Sequence, residues 1–356
     1  MKPKGRKPQP FPGDPNDPDG MHVWVQRFLK ALLVKGLSET TVSTRRKKLA
    51  VFIEWCETRS ITRPTQITKP IVEAYQRHLY HRRQANGKPL TFGSQRADLV
   101  AIRMLFQWFA RSNVLLYNPA SDIELPRLGR RLPRHVLTAA EVEAVLAEPD
   151  VTDPLGLRDR AILEVFYSTG IRRAELAKLS IYDVDADNGT LMVREGKMSN
   201  DRMVPIGERA LAWVEKYQRE ARGSLLTDPN LTALFISRYG QALEAHSLSS
   251  LARRYVKGAN IGKTGSCHIF RHAMATLMLE HGADVRMIQA ILGHASLATT
   301  AIYTHVAIRQ LKEVHDRTHP GAKLGNTREM PKTAPTSDTG AFFSTLADEA
   351  REEERE

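Results

Sequence analysis

Cysteine is scarce, with two residues in 356, Cys56 and Cys267. Two distant cysteines neither staple a disulfide scaffold nor show the spacing of a metal site, so free thiols in a reducing compartment are expected. Long hydrophobic runs are lacking too. No stretch approaches the roughly 18 apolar residues of a membrane-spanning helix, and no apolar leader core follows the basic, proline-rich N-terminus. A cytoplasmic protein with no membrane partner is therefore expected. Acidic residues are short in the front half: residues 1–136 hold 25 Lys and Arg against 10 Asp and Glu. The remaining composition, 42% hydrophobic and 26% charged, is that of an ordinary soluble protein long enough for two domains.

The formal charge of +12 is unevenly distributed. Residues 137–319 are balanced, with 22 basic and 22 acidic residues, and the segment from 320 carries 5 basic against 8 acidic. A concentrated basic front half is the footprint of a polyanion binder; its plainer reading is a solubilising surface.

Residues 1–20 are rich in Pro, Gly and Asp and read as a disordered basic arm. Residues 21–120 read as four helices, near 22–35, 38–57, 69–84 and 92–111. The first carries Trp24, Phe28, Ala31 and Leu32 on one face. The second opens at Ser38, an N-cap type, and buries Leu49, Phe52, Ile53 and Cys56. The fourth spaces Leu99, Ile102, Phe106 and Phe109 by 3, 4 and 3. Arg45, Arg46, Lys47, Lys48, Arg82, Arg83, Arg96 and Arg103 lie off the apolar faces or near helix ends, where basic side chains suit DNA phosphates. Residues 121–136 have neither helical nor strand period and read as an interdomain linker.

A second domain is expected over 137–320. Thr138 and Glu141 form a capping box. A hydrophobic helix then runs to a break at Gly170, and a short helix starts at Arg172 and Arg173, where free backbone N–H groups favour an anion. Segments 189–195 and 202–207 read as a β-hairpin with Lys197 at its tip, ordinarily just a solvated lysine. Helices over 208–222 and 247–258 flank a short strand at LFIS (234–237). In 267–305, Met274, Leu277 and Met278 mark one helix, stopped by Gly282. Val285, Ile288, Ile291 and Leu292 mark another, capped by Asp284 and ended by Gly293. His268 and Arg271, three apart, can address one target, and His294 and Tyr303 can return to it if the helices pack antiparallel. Two imidazoles, a guanidinium and a phenol suit a phosphodiester. After Tyr303 one more amphipathic helix offers Val306, Leu311 and Val314 as anchors. Residues 321–356 read as a disordered acidic tail, with an acidic helix bearing Phe342, Phe343 and Leu346 as the alternative.

HIFRH, LGHAS and the tyrosine of TAIYTHV, in that order and spacing, resemble the tyrosine recombinase (phage integrase) family, specifically its compact Xer-like members. STGIRRAEL resembles the family's first-arginine motif, with Arg172 at the catalytic position and Glu175 at an acidic position that braces the site. LSETTVSTRRKKLAVFIEW looks like the second helix of the family's core-binding domain. The resemblance covers about 22–320 and implies a mainly α fold with a small β-hairpin (α+β). It implies a C-shaped DNA clamp, made of a four-helix, SAM-like core-binding domain and a catalytic domain. No inserted helix of the integron type is expected between Lys197 and His268, nor a large arm-binding domain of the lambda type before the bundle.

The family chemistry implied is cutting and rejoining of DNA. Tyr303 attacks the scissile phosphate to give a 3′-phosphotyrosine. Arg172 and Arg271 neutralise the developing charge, His268 and His294 hydrogen-bond the phosphate, and Lys197 protonates the departing 5′ oxygen. Arg202 is a minor rival for that last role, because the turn lacks a second glycine and lysine after Gly196 and Lys197. No cofactor, metal or ATP is implied. The implied partner is double-stranded DNA with inverted half-sites, bound by dimers that assemble into tetramers around a Holliday junction. The helix after Tyr303 would be exchanged between subunits at the nucleoid, and a second recombinase or accessory protein is left open. Two other readings use much of the same sequence. A type IB topoisomerase shares the catalytic set but has no defined site or second duplex to join. A non-catalytic DNA-binding accessory factor has no need of Tyr303.

Overall fold

The computed structural model describes residues 10–84, 86–127, 136–194, 201–293, 305–322 and 338–353. The chain divides into two compact units, residues 1–130 and 131–355.

In the first unit, helices α1 (Met21–Val34), α2 (Glu39–Glu57), α3 (Lys69–His81) and α4 (Phe92–Arg111) enclose an apolar core. Two of them begin on hydroxyl caps: Ser38 accepts from the Thr41 N–H and Thr91 from the Ser94 N–H. Phe52 is the hub, packing edge-on against Tyr75 and Phe106. The face of α1 is rotated slightly from the expected one: Val25 and Leu29 are buried with Phe28 and Leu32, and Trp24 and Ala31 only partly. Helix α3 ends at His81, earlier than expected, because Arg82 turns extended and Arg83 bridges to Pro89 around the Asn86–Gly87 turn.

Two segments expected to lie outside the core belong to it. Residues 10–20 are not a free arm: Phe11 is buried and Arg46 sits 5.3 Å over its ring. His22 Nδ1 also meets the Pro12 carbonyl oxygen at 3.0 Å. A proline-rich segment has less chain entropy to lose, so few contacts suffice to seat it. Residues 1–9 lie outside the described residues. Likewise Ile123, assigned to the linker, is buried in the core of the first unit.

The second unit is built around α6 (Pro154–Thr169), a helix buried on nearly all sides, whose charged residues are tolerated there because they pair, Arg158 with Asp159 at 2.6 Å and Arg160 with Glu164 at 2.8 Å. It follows α5 (Ala139–Ala147), which opens on the expected Thr138–Glu141 capping box. Gly170, at φ +60°, ends α6 and leads into α7 (Arg173–Ala177). A three-stranded antiparallel sheet comes next, in the order β1 (Val184–Asp185), β2 (Thr190–Val193), β3 (Arg202–Pro205). The hairpin is the expected one, with Leu191 opposite Val204, and β1 is an added edge. Helix α8 (Glu208–Tyr217) continues through a wider turn over 218–222 into the single turn of α9 (Gly223–Leu225). LFIS does not form a strand among the described residues. Ile236 makes an isolated bridge to Ala242, and Ala233, just before the segment, one to Ser180.

Helices α10 (Ala245–Gly258), α11 (Cys267–Glu280) and α12 (Val285–Leu292) follow. Asp284 caps α12 by accepting from the Arg286 N–H, and Gly293, at φ +67°, ends it. Helix α13 (His305–Thr318) packs on its own unit: Leu311 is buried, and the His315 and His319 imidazoles meet the α6 carbonyl oxygens of Ser168 and Tyr167 at 2.8 and 2.9 Å. The expected tail disorder is overturned for 338–353, which form helix α14 (Asp338–Glu353) with Phe342 and Leu346 buried in the same core. Both cysteines are free and buried, and no described helix is long and apolar enough to cross a membrane.

A side chain at Gly170 would meet Leu292 Cδ2 at 2.7 Å in a left-handed backbone. Gly170→Ala is therefore expected to destabilise the second unit by about 2–4 kcal/mol, read as a lowered urea midpoint at unchanged slope.

Candidate active site

Five polar side chains from four elements meet where α6 gives way to α7. Arg172 precedes α7, and its N–H donates to Glu175 Oε2 at 2.9 Å while its Nη1 donates to Oε1 at 3.1 Å. Arg202, the first residue of β3, grips the same carboxylate in a fork, Nη1 to Oε1 at 2.9 Å and Nη2 to Oε2 at 2.8 Å. Arg271 lies on the second turn of α11. Its Nη1 donates to the Gly170 carbonyl oxygen at 2.6 Å and its Nη2 to that of Leu292 at 3.0 Å. Arg172 and Arg202 are thus aimed by one shared carboxylate, and Arg271 by two backbone carbonyl oxygens.

The fifth side chain is Glu349 of α14. Its Oε1 accepts from Arg172 Nη2 at 2.6 Å, and its Oε2 accepts from Arg271 Nη2 at 2.8 Å. Two guanidinium groups therefore share one anion, each binding a different oxygen.

Burial sets the electrostatics. Glu175, Arg202 and Arg271 are each 5% exposed or less. Burial alone would raise the Glu175 pKa, but the Arg202 hydrogen bonds and charge, then Arg172, more than reverse this and hold it at about 2. Burial and the nearby Arg172 charge push Arg271 down to about 10, with Glu349 and Glu175 opposing, so it stays cationic at neutral pH. For Arg172, burial is outweighed by Glu349 and Glu175, and its pKa is raised.

His268 stands half-buried in the first turn of α11, with Nδ1 3.3 Å from the Ser266 hydroxyl. His272, one turn on, is held neutral: burial, then the His268 and Arg271 charges, push its pKa down to about 3. Arg173 turns away from the cluster and donates to Ser249 Oγ of α10 at 2.9 Å. Lys197, His294 and Tyr303 lie outside the described residues, although Gly293, which leads into His294, packs on Arg202. A Cβ there would meet Arg202 Nε at 2.7 Å.

The reading of Arg202 as a rival proton donor is corrected: it is buried and committed to Glu175. The signal was present in the strand period, because Arg202 and Val204 share the inward face of β3. A charge on such a face needs a buried partner. Glu349 carried no comparable signal. Among the basic residues of the first unit, Lys48 is paired with Asp98 at 2.7 Å and Arg96 donates to the Pro126 carbonyl oxygen at 3.4 Å. Arg45 and Arg82 are half-buried, and Arg46, Lys47, Arg83 and Arg103 are exposed.

Because the folded pKa of Glu175 is about 2 against an ordinary 4.5, its stabilising contribution is full above pH 4.5 and lost as pH falls toward 2. Glu175→Gln is expected to flatten that acid limb in a pH series of urea midpoints. It is also expected to cost about 3–5 kcal/mol at neutral pH by leaving Arg202 buried without its counter-charge.

The Phage integrase family model matches residues 135–310, and the model of the phage integrase N-terminal SAM-like domain matches residues 24–114. Tyrosine recombinase XerC 2 of Ralstonia nicotianae is 50% identical over 320 residues, covering 90% of this chain and 91% of that one. Tyrosine recombinase XerD of Pseudomonas putida is 38% identical over 300 residues, covering 84% and 98%. In fold, the chain is similar to the XerH site-specific recombinase bound to difH substrate (TM-score 0.59, 22% identity, covering 82% of this chain and 83% of that one). It is similar also to a lambda integrase(75-356) dimer bound to a COC′ core site (TM-score 0.59, 18% identity, covering 78% and 96%). With both units matched and half the residues shared with a named relative, the chain is a member of the phage integrase family and a tyrosine recombinase of the Xer kind.

Proposed function

We propose that this enzyme recombines duplex DNA at a specific site through a covalent 3′-phosphotyrosine, with Arg172 and Arg271 as the clamp on the scissile phosphate. The observation that supports this most is the carboxylate held between the two: Oε1 on one guanidinium and Oε2 on the other, as two non-bridging phosphate oxygens would be held. Charge that builds on those oxygens during attack meets donors already aimed and already desolvated.

Each step balances in atoms and charge. The Tyr303 hydroxyl oxygen bonds to phosphorus as its proton passes to a base, a role assigned to His268. The bond from phosphorus to the 5′ oxygen breaks, and Lys197 gives that oxygen a proton. His294 donates to the phosphate. A 5′ hydroxyl from the second duplex then reverses the sequence, so the phosphoester energy is kept and neither ATP nor a metal ion takes part. Glu175 and Arg202 act through Arg172, by positioning it.

We assign 21–120 to core binding of DNA, with exposed Arg46, Lys47, Arg83 and Arg103 as phosphate contacts, and 137–320 to catalysis; of the segment between them, Ile123 belongs to the first core and the part beyond it serves as linker. Paired inverted half-sites occupied by two subunits, and a four-subunit synapse, are the assemblies proposed, acting in the cytoplasm on nucleoid DNA.

The test uses duplexes selected for binding from a randomised pool, nicked so that cleavage traps the intermediate, and resolved on a denaturing gel. Wild type is expected to form a covalent adduct and Tyr303→Phe none. Arg271→Lys is expected to slow adduct formation roughly a hundredfold or more, because a point charge cannot replace the fork. Tight, specific binding by wild type without any adduct would overturn the reading in favour of a DNA-binding accessory protein.

A further inference from the structure

The acidic helix α14 has no part in the chemistry above, and its sequence lies beyond residue 310, where the family match ends. It nevertheless places a carboxylate on both catalytic arginines. We propose that α14 is an internal substrate mimic: Glu349 occupies the scissile-phosphate position in the resting protein, and α14 must leave before DNA can be cut. The inference rests on the assignment of Arg172 and Arg271 as the phosphate clamp.

Geometry makes the two occupants exclusive. Glu349 takes Nη2 of Arg172 at 2.6 Å and Nη2 of Arg271 at 2.8 Å. A phosphate bound to the same two nitrogens would overlap the carboxylate and repel it. The helix is seated where it can do this, packed on α11, which carries His268 and Arg271, and on α12, which leads into His294. Its anchor is small: Phe342 and Leu346 are buried, and Phe343 is partly covered. A short apolar anchor carrying an acid is suited to release, because DNA brings a doubly liganded phosphate and repels the surrounding acids at once. The sequence supplies those acids, with Asp348, Glu349, Glu352, Glu353 and Glu354 in one stretch and 8 acidic against 5 basic residues from position 320 onward.

The occupant also serves the resting state. Arg271 is buried beside Arg172, and without an anion between them the two charges would repel across a dry site. Glu349 keeps the clamp assembled in the absence of DNA.

The experiment uses the full chain and duplexes selected for binding. Glu349→Gln keeps the side-chain shape and removes the charge; Glu352→Gln makes the same charge change one turn away. Glu349→Gln is expected to tighten duplex binding and speed adduct formation about tenfold or more, the scale of a lost charge-assisted pair, with little change for Glu352→Gln. Equal gains in both variants, or none in Glu349→Gln, would overturn the proposal. Unaltered protein gives a second readout through amide hydrogen exchange, where the α14 amides are expected to be protected alone and to exchange faster when duplex is saturating. Protection that persists while adduct accumulates would also overturn it. Release of α14 with a Glu349-specific gain in affinity, but no adduct from any variant, would leave the mimic standing and refute the cleavage reading instead.

Discussion

One carboxylate makes the rest of the site possible. Arg172, Arg202 and Arg271 come from three separate elements into one dry neighbourhood, and like charges that close repel strongly when water is excluded. Glu175 answers two of them at once, taking the fork of Arg202 on one side and both the backbone and side chain of Arg172 on the other. Its own ionisation is secured by those same groups. The arginines are thereby fixed in a geometry that a phosphate can use without reorganising it, which is the condition for electrostatic catalysis.

The backbone is shaped to the same end. Gly170 lets α6 stop in a left-handed turn whose carbonyl receives Arg271, and Gly293 lets α12 stop close enough for Arg202 to lie against it. Both glycines are needed because a Cβ would strike a neighbour and because the φ is positive. Two helix ends, one strand start and one helix start are thus joined by side chains as well as by the apolar core they share. A site made from element termini has free backbone groups to offer, and these are what aim Arg271.

Much of this was legible beforehand. Helix α4 and the hairpin follow from apolar periodicity, the starts of α2 and α5 from their capping residues. Arg172, Glu175, His268 and Arg271 were singled out from their motifs, and the structure brings Arg172, Glu175 and Arg271 together. The misjudged segments were those where composition spoke for disorder: residues 10–20 and 338–353. In each, one or two aromatic side chains find a place on a neighbouring core, and average composition does not register so few residues.

The sequence by itself determined most of the helices, the hairpin and the family, because periodicity, caps and short motifs are local properties that survive in any context. Tertiary structure alone decided the partners of the charges. That Arg202 serves Glu175, and that Glu349 lies across Arg172 and Arg271, depends on side chains far apart in the chain being desolvated together. Pairing of that kind is settled by three-dimensional proximity and burial, which no local pattern encodes.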